Sequence, residues 1–241
     1  MPTLVECLNT KKNDVLTLIG SGGKTSLLWL LGVSFPTWRI LLTTTTKMGN
    51  ESWRPFRRFI DDVDLCQQFY PEEPGSYLLA QRLPDSEKLQ SLPVDVLRPL
   101  LPRYDLVVIE GDGSQRRPLK GWADHEPVVL ADTTITVGIL PLSIVGRQAD
   151  DTTIHRFSLF SDIANIQKGE RIQPIHLVRA IAHPNGLWRN AQSKRILLLN
   201  RVETDETRQY AHEIQSLLHQ FNALPECVIA GIIQNNFGIC L

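Results

Sequence analysis

Much that would place this chain in a ready class is missing from its 241 residues. None of its four cysteines, Cys7, Cys66, Cys227 and Cys240, stands in a C-x-x-C pair. That excludes a zinc knuckle and the disulfide framework of small secreted domains, and the thiols read as reduced ones of a cytoplasmic protein. Cys240 has the position of an exposed reactive thiol, although a lone cysteine is more often incidental. Charge of one sign is also missing: 25 Lys and Arg against 26 Asp and Glu give a formal net charge of -1, with only 7% aromatic residues. Without a basic excess, nucleic acid is not an expected partner. No basic stretch followed by an apolar core opens Met1–Lys12, so no secretory leader is expected. The long apolar stretch Val128–Gly146 is interrupted by Asp132, three threonines and Pro141. Burying Asp132 in lipid would cost about 2.5–3.5 kcal/mol, so the stretch reads as two strands around a turn and no membrane is expected. Repeats and low-complexity tracts are absent as well.

What remains is a chain that is 42% apolar, enough for one sizeable core, read as a single domain over 1–241. Short continuous apolar runs recur at Val15–Ile19, Ile40–Thr44, Tyr77–Ala80, Leu106–Ile109, Ile135–Leu140, Ile196–Leu199 and Val228–Ile233. Continuous rather than alternating runs fit strands covered on both faces, as in a parallel sheet. Helices are expected between them at Thr25–Leu31, in the Phe56–Phe69 region and at Glu203–Phe221. The fold class is therefore α/β, a doubly wound and mostly parallel sheet of the P-loop kind, with an insertion or lid at about 114–186 where the pattern loosens.

Gly20-Ser21-Gly22-Gly23-Lys24-Thr25-Ser26 lies between the first strand and the first of these helices. A phosphate needs inward-pointing N–H groups at close range, which glycines permit, and the following helix adds its positive end. In that reading Lys24 reaches the outer phosphates and the Thr25 hydroxyl faces a magnesium ion. The full pattern G-x-x-x-x-G-K-[ST] has a glycine where this chain has Leu18. The shorter G-x-x-G-K-T that stands here resembles the loop of the Mur ligases, which bind ATP.

Leu106–Ile109 ends in Glu110-Gly111-Asp112, two carboxylates that alternation along an extended chain sends to one side. A hard magnesium ion bridging nucleotide phosphates asks for few carboxylates, so Glu110 and Asp112 are candidate ligands beside Thr25. Thr46 and Lys47, closing the second strand, are candidates for touching phosphate or neutralising developing charge, against the plain alternative that threonine is a good strand residue. Arg116, Arg117 and Lys120 follow the carboxylates and read either as a solvated face or as a clamp on a second, anionic substrate. His125 is a candidate acid or base, and His155-Arg156 a weaker one; for each histidine a structural role competes. Asn200-Arg201-Val202-Glu203 resembles a relaxed N-K-x-D guanine-reading loop of GTPases, which makes Asn200 and Glu203 candidate nucleotide contacts. Glutamate and arginine replace that loop's aspartate and lysine, so ATP and GTP both stay open, as does a plain strand-to-helix turn.

In the order G-S-G-G-K-T, T-T-T-K-M, E-G-D-G-S-x-R-R-P-L-K, D-H-E-P, I-H-R-F and L-L-N-R-V-E, these segments resemble the YqeC family, described as selenium-dependent hydroxylase accessory proteins. The likeness runs from Val15 to about Ile233. It implies a cytoplasmic P-loop protein that helps mature a selenium-dependent molybdenum hydroxylase, with the molybdenum cofactor or the hydroxylase itself as partners. The E-G step after the strand also resembles dethiobiotin synthetase, in which the glutamate helps hold magnesium. Two functions follow as expectations. One is an enzyme that transfers a phosphoryl or nucleotidyl group from a Mg2+-nucleotide to a small anionic acceptor; the other is a nucleotide-controlled assembly factor that modifies no small molecule.

Overall fold

A computed structural model describes residues 2–49, 56–82 and 88–241. Nine strands make the central sheet: β1 Asp14–Gly20, β2 Arg39–Thr44, β3 Arg58–Ile60, β4 Gly75–Leu79, β5 Leu106–Glu110, β6 Ile135–Pro141, β7 Lys194–Asn200, β8 Cys227–Ile232 and β9 Phe237–Cys240. Their order is β9-β8-β7-β6-β1-β5-β2-β4-β3, and every pair is parallel except β8 with β9. This is the doubly wound α/β sheet that the apolar runs announce, with β3 and β9 added at its two edges.

The α-helices among the described residues are α1 Leu4–Leu8, α2 Lys24–Ser34, α3 Val63–Gln68, α4 Val94–Leu97, α5 Phe157–Ala164, α6 Pro174–Ala182 and α7 Asp205–Gln220. Alternation along the strands decides which of them each side chain meets. Leu16, Leu18, Ile40, Leu42, Leu106, Val108, Val137, Ile139 and Leu198 share one buried cluster with residues of α1 and α2. Their neighbours Leu197, Leu199, Val228 and Ala230 face α5, α6 and α7, while Val15, Leu41, Val107 and Ile109 face α3 and α4. Both faces are covered, which is why the strands read as unbroken apolar runs.

Phe56–Phe69 is not one helix. Arg58–Ile60 pairs with β4, and Asp62 then caps α3 by accepting from the Leu65 N–H at 2.9 Å, so the segment breaks where its aspartates stand. Segment 114–186 is likewise divided, since its residues 135–141 form β6, inside the sheet between β1 and β7. After β1 the chain leaves for α2 on one face, and after neighbouring β6 it goes on to α5 and α6 on the other. The carboxyl ends of β1 and β6 therefore flank the crevice where such sheets place ligands.

Candidate functional site

Gly20 to Gly23 close over the end of β1 with left-handed backbone at Gly20 (φ +93°), Gly22 (φ +73°) and Gly23 (φ +152°). Packing demands glycine there as much as the dihedrals do. A Cβ on Gly22 would lie 2.4 Å from Pro141 Cγ, and one on Gly23 would lie 2.8 Å from Asn200 Nδ2. Gly20 N–H donates to Asp112 Oδ2 (3.1 Å) and Ser21 N–H to Ile139 O (2.9 Å), which fixes the base of the loop. Among the described residues no protein group accepts from the N–H groups of Gly22, Gly23, Lys24, Thr25 or Ser26, and α2 starts without a side-chain cap. The last four of those donors are the orphans that every helix start leaves, and Gly22 adds a fifth.

Glu110 ends β5 with the parity of Leu106 and Val108, so it lies on the face that α2 covers. There Thr25 Oγ1 donates to Glu110 Oε2 at 2.9 Å. Asn200 reaches the same face from the end of β7: its Nδ2 donates to Gly22 O at 2.8 Å and its Oδ1 accepts from Ile233 N–H at 3.2 Å. Asn200 is buried and engaged in bracing the loop. Glu203 stands away from it, exposed and paired with Arg201 at 3.2 Å.

Asp112 takes another position. It is wholly buried, and its Oδ2 accepts from Gly20 N–H, from Lys120 Nζ at 3.1 Å and from Trp122 Nε1 at 3.2 Å. Lys24 Nζ sits 3.2 Å from Asp112 Oδ1, an ion pair without hydrogen-bond alignment, while donating to Gly20 O at 2.5 Å. Lys120, also wholly buried, donates to Glu126 Oε2 and Gly113 O, both at 2.7 Å. Arg156 closes the chain on Glu126. The result is a line of alternating charge, Lys24, Asp112, Lys120, Glu126 and Arg156, running from the glycine loop into the body of the protein. Burial opposes ionisation of Glu126, but hydrogen bonds from Arg156 and Lys120 outweigh it and hold the carboxyl below its ordinary value. Burial also disfavours protonation of His155, and the adjacent Arg156 and Lys120 charges add to it, so that imidazole is held below its usual range.

The sequence candidates thus separate. Gly20 to Thr25, Glu110, Asp112 and Asn200 converge. Arg116, Arg117 and Lys120 do not form one cationic face: Arg116 is exposed on left-handed backbone (φ 62°), Arg117 is half-buried and reaches Ile154 O at 3.5 Å, and Lys120 is committed to carboxylates. Lys120 is drawn inward because Leu119-Lys120 pairs in parallel with Ile154-His155. Lys47 and His125 are exposed. Thr44 and Thr45 spend their hydroxyls on Glu110 O and Val128 O, at 2.9 and 2.8 Å. Of the further partners of Asp112 and Lys120, Trp122 is not singled out by the sequence, and Glu126 enters only within the D-H-E-P segment of the family likeness. A local signal for burial here is the step from the charged run into Leu119 and Trp122, apolar residues that a solvated face would not carry. Among the described residues no three His, Cys, Asp or Glu side chains converge as a metal site, and no helix is long and apolar enough to cross a membrane.

Comparison with known proteins finds a family model and a relative. The family model described as YqeC protein matches residues 16–158. The chain is also similar to the protein printed as uncharacterized protein YqeC of Escherichia coli (strain K12), 27% identical over 235 residues that cover 95% of this chain and 91% of that one.

Proposed function

The chain belongs to the YqeC family, and from that premise we propose that it binds a Mg2+-nucleotide, ATP or GTP, in the loop Gly20–Ser26. The observation that carries the reading is the Thr25–Glu110 contact of 2.9 Å beside five N–H groups that no described residue engages. A hydroxyl and one carboxylate suit magnesium, which keeps several waters and takes its other oxygens from phosphate, and they would not suffice as an all-protein cage. Thr25 and Glu110 would hold the ion, whose contribution is to neutralise charge on the phosphate oxygens. Lys24 would leave Gly20 O for the outer phosphates, since an ammonium beside a phosphate is better compensated than one on a neutral carbonyl. Asp112 is then an anchor for Gly20 and Lys24 rather than a first ligand, and Asn200 a brace for the loop rather than a reader of the base.

Arg116 and Arg117 are the cations left to meet a small anionic acceptor in phosphoryl or nucleotidyl transfer, with positioning as the main catalytic contribution. A second reading, a nucleotide-controlled assembly factor, draws support from the ion chain, because Asp112 links Lys24 to Lys120, Glu126 and Arg156. A nucleotide that moves Lys24 would alter the charge balance of that chain. In either case the family resemblance points to maturation of a selenium-dependent molybdenum hydroxylase in the cytoplasm. Nucleotide affinity and turnover in Lys24→Ala and Arg117→Ala, each checked for native circular dichroism, test the reading. Lys24→Ala should lose nucleotide affinity at least tenfold. Arg117→Ala should keep that affinity and lose turnover if an acceptor is clamped, or lose salt-sensitive association with the hydroxylase if the protein is a switch. Parental nucleotide affinity in folded Lys24→Ala would overturn the reading.

A further inference from the structure

Three of the four cysteines that the sequence scatters, Cys7, Cys227 and Cys240, are neighbours at one edge of the sheet. Cys227 opens β8 and Cys240 closes β9, and the antiparallel register sets Ile229 opposite Cys240. Side chains two residues apart share a face, so Cys227 lies on the same face as Cys240, one diagonal step away. Helix α1 covers this edge. Leu4 N–H donates to Asn236 O at 2.9 Å, and Leu4 Cα sits so close to Gly238 that a Cβ there would approach it to 2.8 Å. Cys7 is nearly one helical turn beyond Leu4, and Cys240 is two strand residues beyond Gly238, so helix and strand bring the two thiols abreast.

The backbone agrees. Leu241 N–H donates inward to Val228 O at 2.9 Å, so the Cys240 N–H, one residue back, points to the outer side of the strand. On that side the Cys7 thiol has Cys240 as its neighbour. Cys240 is exposed, whereas Cys7 and Cys227 are half-buried. Of the two partners, Cys7 suits a disulfide better. Diagonal neighbours on paired strands lie about 7–8 Å apart at Cα, beyond the roughly 7 Å that a disulfide spans. A three-thiolate metal site is not the better reading, because among the described residues no such group has metal-binding geometry.

We propose that Cys240 and Cys7 form a thiol–disulfide exchange site joining α1 to the edge strand β9, with low-molecular-weight disulfides of the glutathione type as the reacting class. The exposed Cys240 thiolate attacks one sulfur of the small disulfide, forms a mixed disulfide and releases the first small thiol. The Cys7 thiolate then attacks Cys240 Sγ, forms the internal disulfide and releases the second. Two protein thiols lose two electrons and two protons, and one small disulfide becomes two thiols, so the exchange needs no other oxidant. Cys240 is the attacking group because it is the exposed one of the pair, while burial, followed by the Cys240 neighbour, pushes the half-buried Cys7 thiol up to about 11.

The test is incubation of the full chain with oxidised glutathione, followed by thiol titration and peptide mapping by mass spectrometry. Free thiols should fall from four to two, with a Cys7–Cys240 peptide that Cys227→Ser still forms. Cys7→Ser and Cys7→Ala should both stop at glutathione on Cys240. A Cys227–Cys240 peptide, glutathione left on Cys240 in the parent chain, or four unreacted thiols would each overturn the proposal.

Discussion

Replacing Lys120 by methionine distinguishes a buried linker from a surface clamp, because the two roles differ in magnitude. Methionine keeps the unbranched stem and removes the charge. In the native chain the ammonium is fully buried, 3.1 Å from Asp112 and 2.7 Å from Glu126. Removing one partner of a buried ion pair costs about 3–5 kcal/mol, since the remaining charges stay desolvated. Lys24 still faces Asp112, and Arg156 still faces Glu126, so the lower end of that range applies. In a domain of this size each kcal/mol moves the melting temperature by about 2–4 °C, which gives a fall of roughly 6–12 °C. A solvated lysine would change stability by no more than about 0.5 kcal/mol. Urea and thermal denaturation of Lys120→Met beside Arg116→Ala supply the comparison. Pairing Lys120→Met with Glu126→Gln should recover part of the loss, because the second change removes one of the stranded charges. If Lys120→Met is as stable as Arg116→Ala, the buried charge chain has been misjudged.

Gly22→Ala should cost about 1–3 kcal/mol through left-handed backbone, with added crowding from the methyl 2.4 Å from Pro141 Cγ, and should weaken nucleotide binding, as denaturation and calorimetry would register. Asn200→Ala strands the buried Ile233 N–H and removes a bond to Gly22 O, a loss of about 1–3 kcal/mol. Because Asn200 braces the loop, the ratio of ATP to GTP affinity should not move; a shift in that ratio would restore it as a base reader. Acid should weaken the fold in two stages. His155 is held below its ordinary 6.5, so its contribution is present above that value and fades as pH falls below it. Glu126 is held below its ordinary 4.5, so its contribution is lost only as pH falls further, through its lowered native value. Urea midpoints between pH 7 and 5 should therefore be flatter in His155→Gln than in the parent.

Local pattern carried the sheet and the inner part of the site. An apolar run that ends in Glu110 or Asn200 fixes, by parity, the face on which that residue emerges, and the glycines mark the turn between strand and helix. The fate of Arg116, Arg117 and Lys120 was not local. Nothing in R-R-P-L-K separates a buried lysine from two exposed or half-exposed arginines; the separation arises because Leu119-Lys120 pairs with Ile154-His155, a partner distant in sequence. Asp112 was read as a magnesium ligand from its spacing to Glu110, yet spacing says nothing of the two ammonium groups that fold onto it. The convergence of Cys7, Cys227 and Cys240 follows from α1 lying on the last strand, and β9 is too short to announce itself. Edge strands such as β3 and β9 contribute few apolar residues, so their runs are the faintest.

The central claim is tested most directly by calorimetric titration of ATP and of GTP into the parent chain and Glu110→Gln, with and without magnesium. The account predicts that one or both nucleotides bind the parent more tightly with magnesium. It also predicts that Glu110→Gln, which keeps the size and removes the charge, binds them equally with and without the ion. Failure of both nucleotides to bind the parent, or an unchanged magnesium dependence in Glu110→Gln, would contradict it.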